Sequence, residues 1–146
     1  MKQRAEQYGD KPLFQSIAEN EIITHTYENV WETVQSIGSH FSSQLQEDET
    51  VGIFTPNHLN GVLIDLACLT YGVRVVPIPF NLSADHLDYV FDHAEITHLF
   101  MGSDRARELL TEVKRSPSSL NAVQIDEDNE WNDFLSTCNQ SKIIHP

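Results

Sequence analysis

Val30, Trp31, Val34, Ile37, Phe41 and Leu45 recur at helical spacing, and Glu28, Glu32, Gln35 and Ser39 fall on the other side. That stripe predicts an amphipathic helix covering a sheet. Thr26 is its predicted N-cap, although Asn29 stands where a capping box carries an acidic side chain. Upstream, LFQSI (Leu13 to Ile17) and EIITHT (Glu21 to Thr26) are short strand-like runs parted by AEN, a spacing that suits a small hairpin. Downstream, the acidic turn Glu47 to Glu49 precedes VGIF, read as a short buried strand that Pro56 and Asn57 stop, with Asn57 capping the next helix. HLNGVLIDLACLTYG (His58 to Gly72) is apolar almost all round, which predicts a helix buried on more than one side, and Gly72 suits a left-handed helix end.

The stretch RVVPIPFNLSADHL supplies the next strand, two prolines and a helix capped by Ser83, with Asp85 in the first turn and Leu87, Val90, Phe91 and Ala94 as its apolar stripe. THLF (Thr97 to Phe100) reads as a strand, Asp104 to Val113 as a helix, NAVQI (Asn121 to Ile125) as a strand and Trp131 to Leu135 as a last helical turn. Strands alternating with helices imply βαβ units. The expected fold is therefore α/β, a three-layer sandwich with a mostly parallel sheet flanked by helices, plus a small N-terminal hairpin. There is no internal repeat, and SKIIHP at the end offers no closing element and reads as a cut in a linker.

A chain of 146 residues fits one domain with a core that needs no disulfide or metal. Lys2, Arg4, Glu6, Asp10, Lys11 and Glu19 interrupt the first twenty residues, so no signal peptide is expected, and no apolar run is long enough to span a bilayer. Cys68 and Cys138 are far apart and read as reduced thiols, which points to the cytoplasm. The net charge of -13, with no Lys or Arg between Pro12 and Val73, disfavours nucleic acid as a partner. Arg105, Arg107, Lys114 and Arg115 alternate with Glu108 and Glu112, which predicts a solvated helix face.

The chemistry that can be excluded is as informative. Cradling a phosphate needs closely spaced glycines, and Gly9, Gly38, Gly52, Gly61, Gly72 and Gly102 are too dispersed for GxGxxG or a P-loop. GxSxG and HExxH are absent. His86 and His93, beside Asp85, Asp88 and Asp92, lie two turns apart on one helix, too far for a single ion without a third element. Asp65 is the odd carboxylate on an apolar helix. A catalytic role would need a second titrating group and a cleft; the plainer reading is a narrow wet face shared with Asn60.

YGDKPLF, THTYENVWETV, FTPNHLNGVLIDLACLTYGVRVVPI and LSADHLDYVFDHAEITHLF, in that order, resemble the N-terminal part of the AMP-forming acyl-CoA synthetases, the adenylate-forming enzymes, over roughly the first hundred residues. The IDLACLTYG and VPI segments look most similar to the long-chain fatty acid branch. The resemblance implies a parent that uses ATP and magnesium to convert a fatty acid to an acyl adenylate and then passes the acyl group to coenzyme A. It also implies that the phosphate loop, the acidic groups for magnesium and ribose, and the lysine of the C-terminal domain lie downstream, so that residues 1–146 form the first part of the large domain, ending before the phosphate loop. No catalytic, cofactor-binding or metal-binding residue carries over to this chain. Asn57, Gly72, Pro77 and Ser83 map onto scaffold positions, and Arg74 departs from the small or apolar residue usual there.

The expected partner is then the remainder of the parent enzyme. Faces left uncovered would drive self-association. The alternative is a stand-alone α/β interaction or regulatory module, but VGIF ends in Thr55, Pro56 and Asn57 without the carboxylates of a receiver domain. A small nucleotide-binding enzyme is disfavoured by the glycine spacing.

Overall fold

The computed structural model describes residues 1–18, 20–113 and 120–146. Lys114 and Arg115, expected on a charged helix face, lie outside the described residues. Helix α1 (Lys2–Tyr8) leads into the hairpin of β1 (Pro12–Ala18) and β2 (Glu21–Thr26), whose strands pair antiparallel with Ile17 opposite Ile22. Then come α2 (Tyr27–Gln44), β3 (Thr50–Phe54), α3 (Leu59–Tyr71), β4 (Arg74–Pro77), α4 (Ala84–Ala94), β5 (Ile96–Met101), α5 (Asp104–Glu112), β6 (Asn121–Gln124) and α6 (Asp128–Asn139). Strands β4-β3-β5-β6, in that order, form one sheet in which every pairing is parallel. The α/β sandwich with its separate hairpin is the fold expected from the alternation of patterns.

Alternation along the central strand divides the core in two. Val51 and Ile53 join Val34, Ile37 and Phe41 of α2, Ile64 and Cys68 of α3, and Trp131 of α6 on one face of the sheet. Phe54, Leu99 and Met101 pack with Leu87 and Phe91 of α4 and Ala106 of α5 on the other. All of these side chains are at most 8% exposed, and burial of that many large apolar groups is what holds the layers together.

Local chemistry explains most helix ends. The Thr26 hydroxyl accepts from the Asn29 amide at 3.2 Å and donates to Asn29 Oδ1 at 2.8 Å, so Asn29 engages the cap by another route than the acidic residue of a capping box. Gly72, at φ 69°, ends α3 in the left-handed conformation, as its sequence position suggested. Asn57 does not cap α3; His58 does, its Nδ1 accepting from the Asn60 amide at 3.2 Å.

Several faces differ from the pattern. Ser39, expected on the polar side of α2, is fully buried, and its hydroxyl is hydrogen-bonded to both the amide (2.9 Å) and the carbonyl (3.3 Å) of Ile144. Ser36 is buried as well, donating to Asn139 Oδ1 at 2.6 Å. The last residues therefore lie across α2. Helix α3 is less enclosed than its composition implied, since Val62 and Leu69 are exposed. Helix α6 extends for 12 residues where one turn was expected, and α1 carried no readable stripe because Ala5 is its one buried residue. Among the described residues no helix is long and apolar enough to cross a membrane.

Candidate functional site at the carboxyl edge of the sheet

In an open parallel sheet, ligands gather where neighbouring strands send their connections to opposite sides. Here that point lies between β3, which leads to β4, and β5, which leads to β6. The two strand ends meet closely. The Gly102 amide donates to the Phe54 carbonyl at 3.0 Å, and a Cβ at Gly102 would lie 2.0 Å from Thr55 Oγ1, so no larger residue fits. Thr55 in turn donates its hydroxyl to the Pro56 carbonyl at 2.9 Å. Ser103 has φ 91° and ψ 150°, a region populated almost solely by glycine, and its buried hydroxyl has no hydrogen bond among the described residues.

Two further amides at these strand ends are engaged as well. Ile78 N donates to Ile53 O and Ile125 N to Met101 O, both at 2.8 Å, while Pro56, Pro77 and Pro79 have no N–H to offer. Beside β3 and β4 lies a cavity of about 280 Å³ walled by Thr55, His58, Gly61, Asp65 and Ile78. It provides the cleft that a catalytic role for Asp65 would need, and His58 shares the wall. Asn60, expected on a wet face with Asp65, instead donates from Nδ2 to the Ile125 carbonyl at 2.7 Å and ties α3 to the end of β6. Among the described residues no Lys or Arg lines the cavity. An incoming phosphate would meet a carboxylate there without countercharge.

A polar network closes the far side of the edge. Gln124, 2% exposed, accepts from Arg107 Nε at 2.6 Å, donates from Nε2 to Asp104 Oδ1 at 3.4 Å, and through its amide donates to Glu130 Oε2 at 2.8 Å. Arg107 also pairs with Glu130 Oε1. Arg107 thus joins α5 to α6 across the end of β6 while its side chain stays half exposed, on the solvated face that the sequence suggested. The network was foreshadowed in sequence by a glutamine in an otherwise apolar strand run, NAVQI.

The remaining residues singled out by sequence are dispersed. Ser83 occupies the N-cap position of α4, but its hydroxyl bonds to His86 Nδ1 at 3.0 Å and makes no bond to a first-turn amide. His93 stacks on Tyr89 at 5.4 Å. Among the described residues no three of His, Cys, Asp and Glu are grouped to hold a metal ion. Arg74 donates to the carbonyls of Glu47 and Asp48, both at 3.4 Å, which accounts for a cation at that position. Burial pushes the Cys68 and Cys138 thiols up to about 12, Cys68 with a further contribution from Asp65, so neither is a ready nucleophile.

The family whose description is AMP-binding enzyme matches residues 1–143. The chain belongs to that family. Long-chain-fatty-acid–CoA ligase 1 of Cavia porcellus is 33% identical over 93 residues, 61% of this chain and 13% of its own. The chain thus spans a small part of the length of that curated relative. Among solved structures, the N-terminal domain of FACL13 from Mycobacterium tuberculosis superposes with a TM-score of 0.75 at 11% identity, covering 99% of this chain and 36% of that one. O-succinylbenzoate coenzyme A synthetase from Bacillus subtilis, in complex with AMP, gives 0.68 at 15% identity over 99% and 33%. These two likenesses establish the fold of an AMP-binding enzyme.

Proposed function

We propose that residues 1–146 are the first αβ layers of the large domain of an AMP-forming fatty acid–CoA ligase. The parent uses ATP and magnesium to make an acyl adenylate and then transfers the acyl group to coenzyme A. The observation that carries this reading is the family match over nearly the whole chain, set beside a relative that acts on long-chain fatty acids and is several times longer. The role of this chain is framework. It positions the switch point between β3 and β5, while the phosphate loop, the acidic groups for magnesium and the C-terminal lysine belong to the downstream part of the parent.

The carboxyl edge supports that division of labour. Its prolines lack N–H groups, the amides of Ile78, Gly102 and Ile125 are engaged, and Asp65 is the charge nearest the cleft. A nucleotide phosphate needs clustered free amides or cations; these three amides are taken, and among the described residues no Lys or Arg lines the cleft beside Asp65. Calorimetric titration of the chain with magnesium and ATP is therefore expected to give no binding heat. Micromolar affinity would overturn the framework role.

A further inference from the structure

At the opposite, amino edge of the sheet lies a cavity of about 390 Å³, within the size range of small-molecule sites. Its floor is aromatic: Phe41, Phe100 and Phe134 stand with ring centroids 5.0 to 6.2 Å apart. His40, His98 and Glu49 share the lining, and among the described residues no Lys or Arg does. The His98 ring is fixed on both nitrogens, with Thr97 Oγ1 3.0 Å from Nδ1 and Asn121 Nδ2 3.1 Å from Nε2. An amide nitrogen only donates, so Nε2 accepts and the ring proton sits on Nδ1. His40 is held through Nδ1 by Ser141 at 3.1 Å and sets its ring edge-on to Phe134 at 6.1 Å.

Burial lowers the pKa of both histidines, His40 further through its neighbour His98, while Glu49 partly opposes the shift at His98. Both imidazoles are neutral at pH 7 and leave Glu49 as the single charge among the described residues that line the cavity. Glu49 Oε2 accepts from the Gln46 amide at 2.8 Å, and among the described residues no Lys or Arg pairs with this carboxylate. Aromatic faces attract cations, a carboxylate supplies the countercharge, and neutral imidazoles do not repel a positive ligand. An anion would face Glu49 and a chain of net charge -13.

We propose that this cavity binds a small organic ammonium ion bearing one aromatic ring, its ring on the phenylalanine floor and its N–H groups toward Glu49. The site lies at the other end of the sheet from the switch point, so its occupancy and the ligase reading stand or fall separately.

Titrating the 15N-labelled chain with 2-phenylethylammonium, 2-phenylethanol and 3-phenylpropionate at pH 7.5 tests it. The ammonium ion is expected to shift the amides of His98, Asn121 and Val123, to bind about tenfold or more tightly than the alcohol, and the carboxylate to leave them unmoved. Glu49→Gln, which keeps an acceptor for the Gln46 amide, should reduce ammonium binding to the level of the alcohol. Absence of shifts at millimolar ammonium, equal affinity for the ammonium ion and the alcohol, or shifts confined to other parts of the chain would overturn the proposal. So would unchanged ammonium affinity in a folded Glu49→Gln variant. Should that variant fail to fold, the ligand series on the native chain decides alone.

Discussion

Thr26 and Ser83 hold the same place, one residue before a helix, yet their hydroxyls do different things. Thr26 accepts from a first-turn amide, whereas the hydroxyl of Ser83 is taken by the His86 ring. Thr26→Ala should cost about 1 kcal/mol, the usual size of a lost cap. Ser83→Ala should cost no more than about 0.5 kcal/mol, because an exposed side-chain pair contributes little. Urea midpoints of the two variants check this, and equal losses would contradict the assignment. The position of Ser83 was legible from its neighbours, but the choice of hydrogen-bond partner was not, since His86 competes with the backbone only once α4 has formed. Ser39 was misread for a related reason: its polar side chain meets Ile144, more than a hundred residues away, which no local spacing reveals.

The histidines of the amino-edge cavity give stability a pH dependence. Their folded-state pKa values lie below the ordinary 6.5, so the unfolded chain takes up protons first as pH falls. Their contribution is full above about pH 6.5 and declines as pH drops through 6.5 toward the folded-state values. His40→Gln should flatten that decline in a series of unfolding curves. A profile unchanged by the substitution would contradict the assignment.

At the scale of elements, α2 and α3 approach closely because position 38 is glycine. A Cβ there would stand 2.1 Å from the Tyr71 ring, and the Tyr71 hydroxyl donates to the Ile144 carbonyl at 2.7 Å. Gly38→Ala gains about 1 kcal/mol in helix propensity, but overpacking typically costs about 1–3 kcal/mol. A net loss of roughly 1 kcal/mol is expected, with faster hydrogen exchange at the Ile144 amide; a stabilised variant with an unchanged Ile144 amide would contradict the contact. Helices α2 to α5 were readable because their stripes match the two core clusters. Helix α6 was underestimated because Asp126, Glu127 and Asp128 obscured its start, although Trp131, Phe134, Leu135 and Cys138 carry its stripe. Acidic residues in its first turn, Asp128 and Glu130, favour the helix dipole, a signal available in the sequence.

For the whole molecule, the alternation of strand and helix patterns was enough to give the layers, the parallel pairing and the hairpin. The candidate site was not legible in any single segment. The Ser103 strain, the Gln124 network and the cleft at Asp65 depend on which strand ends adjoin, and that is set by sheet order rather than by any one segment. The surface carries a further consequence. Ile17 and Ile22, 79% and 68% exposed, face each other on the hairpin, and Leu69 on α3 is 66% exposed. Such faces favour association. Sedimentation velocity should show the average mass rising with concentration, and a monomer throughout the concentration series would contradict it.

The most direct test of the framework role is ATP–pyrophosphate exchange with fatty acids, measured on residues 1–146 alone and on a related long-chain ligase in which this chain replaces the matching segment. The chain alone is expected to give no exchange and the chimera to give fatty acid-dependent exchange; exchange catalysed by residues 1–146 on their own, or a folded chimera without any, would contradict the account.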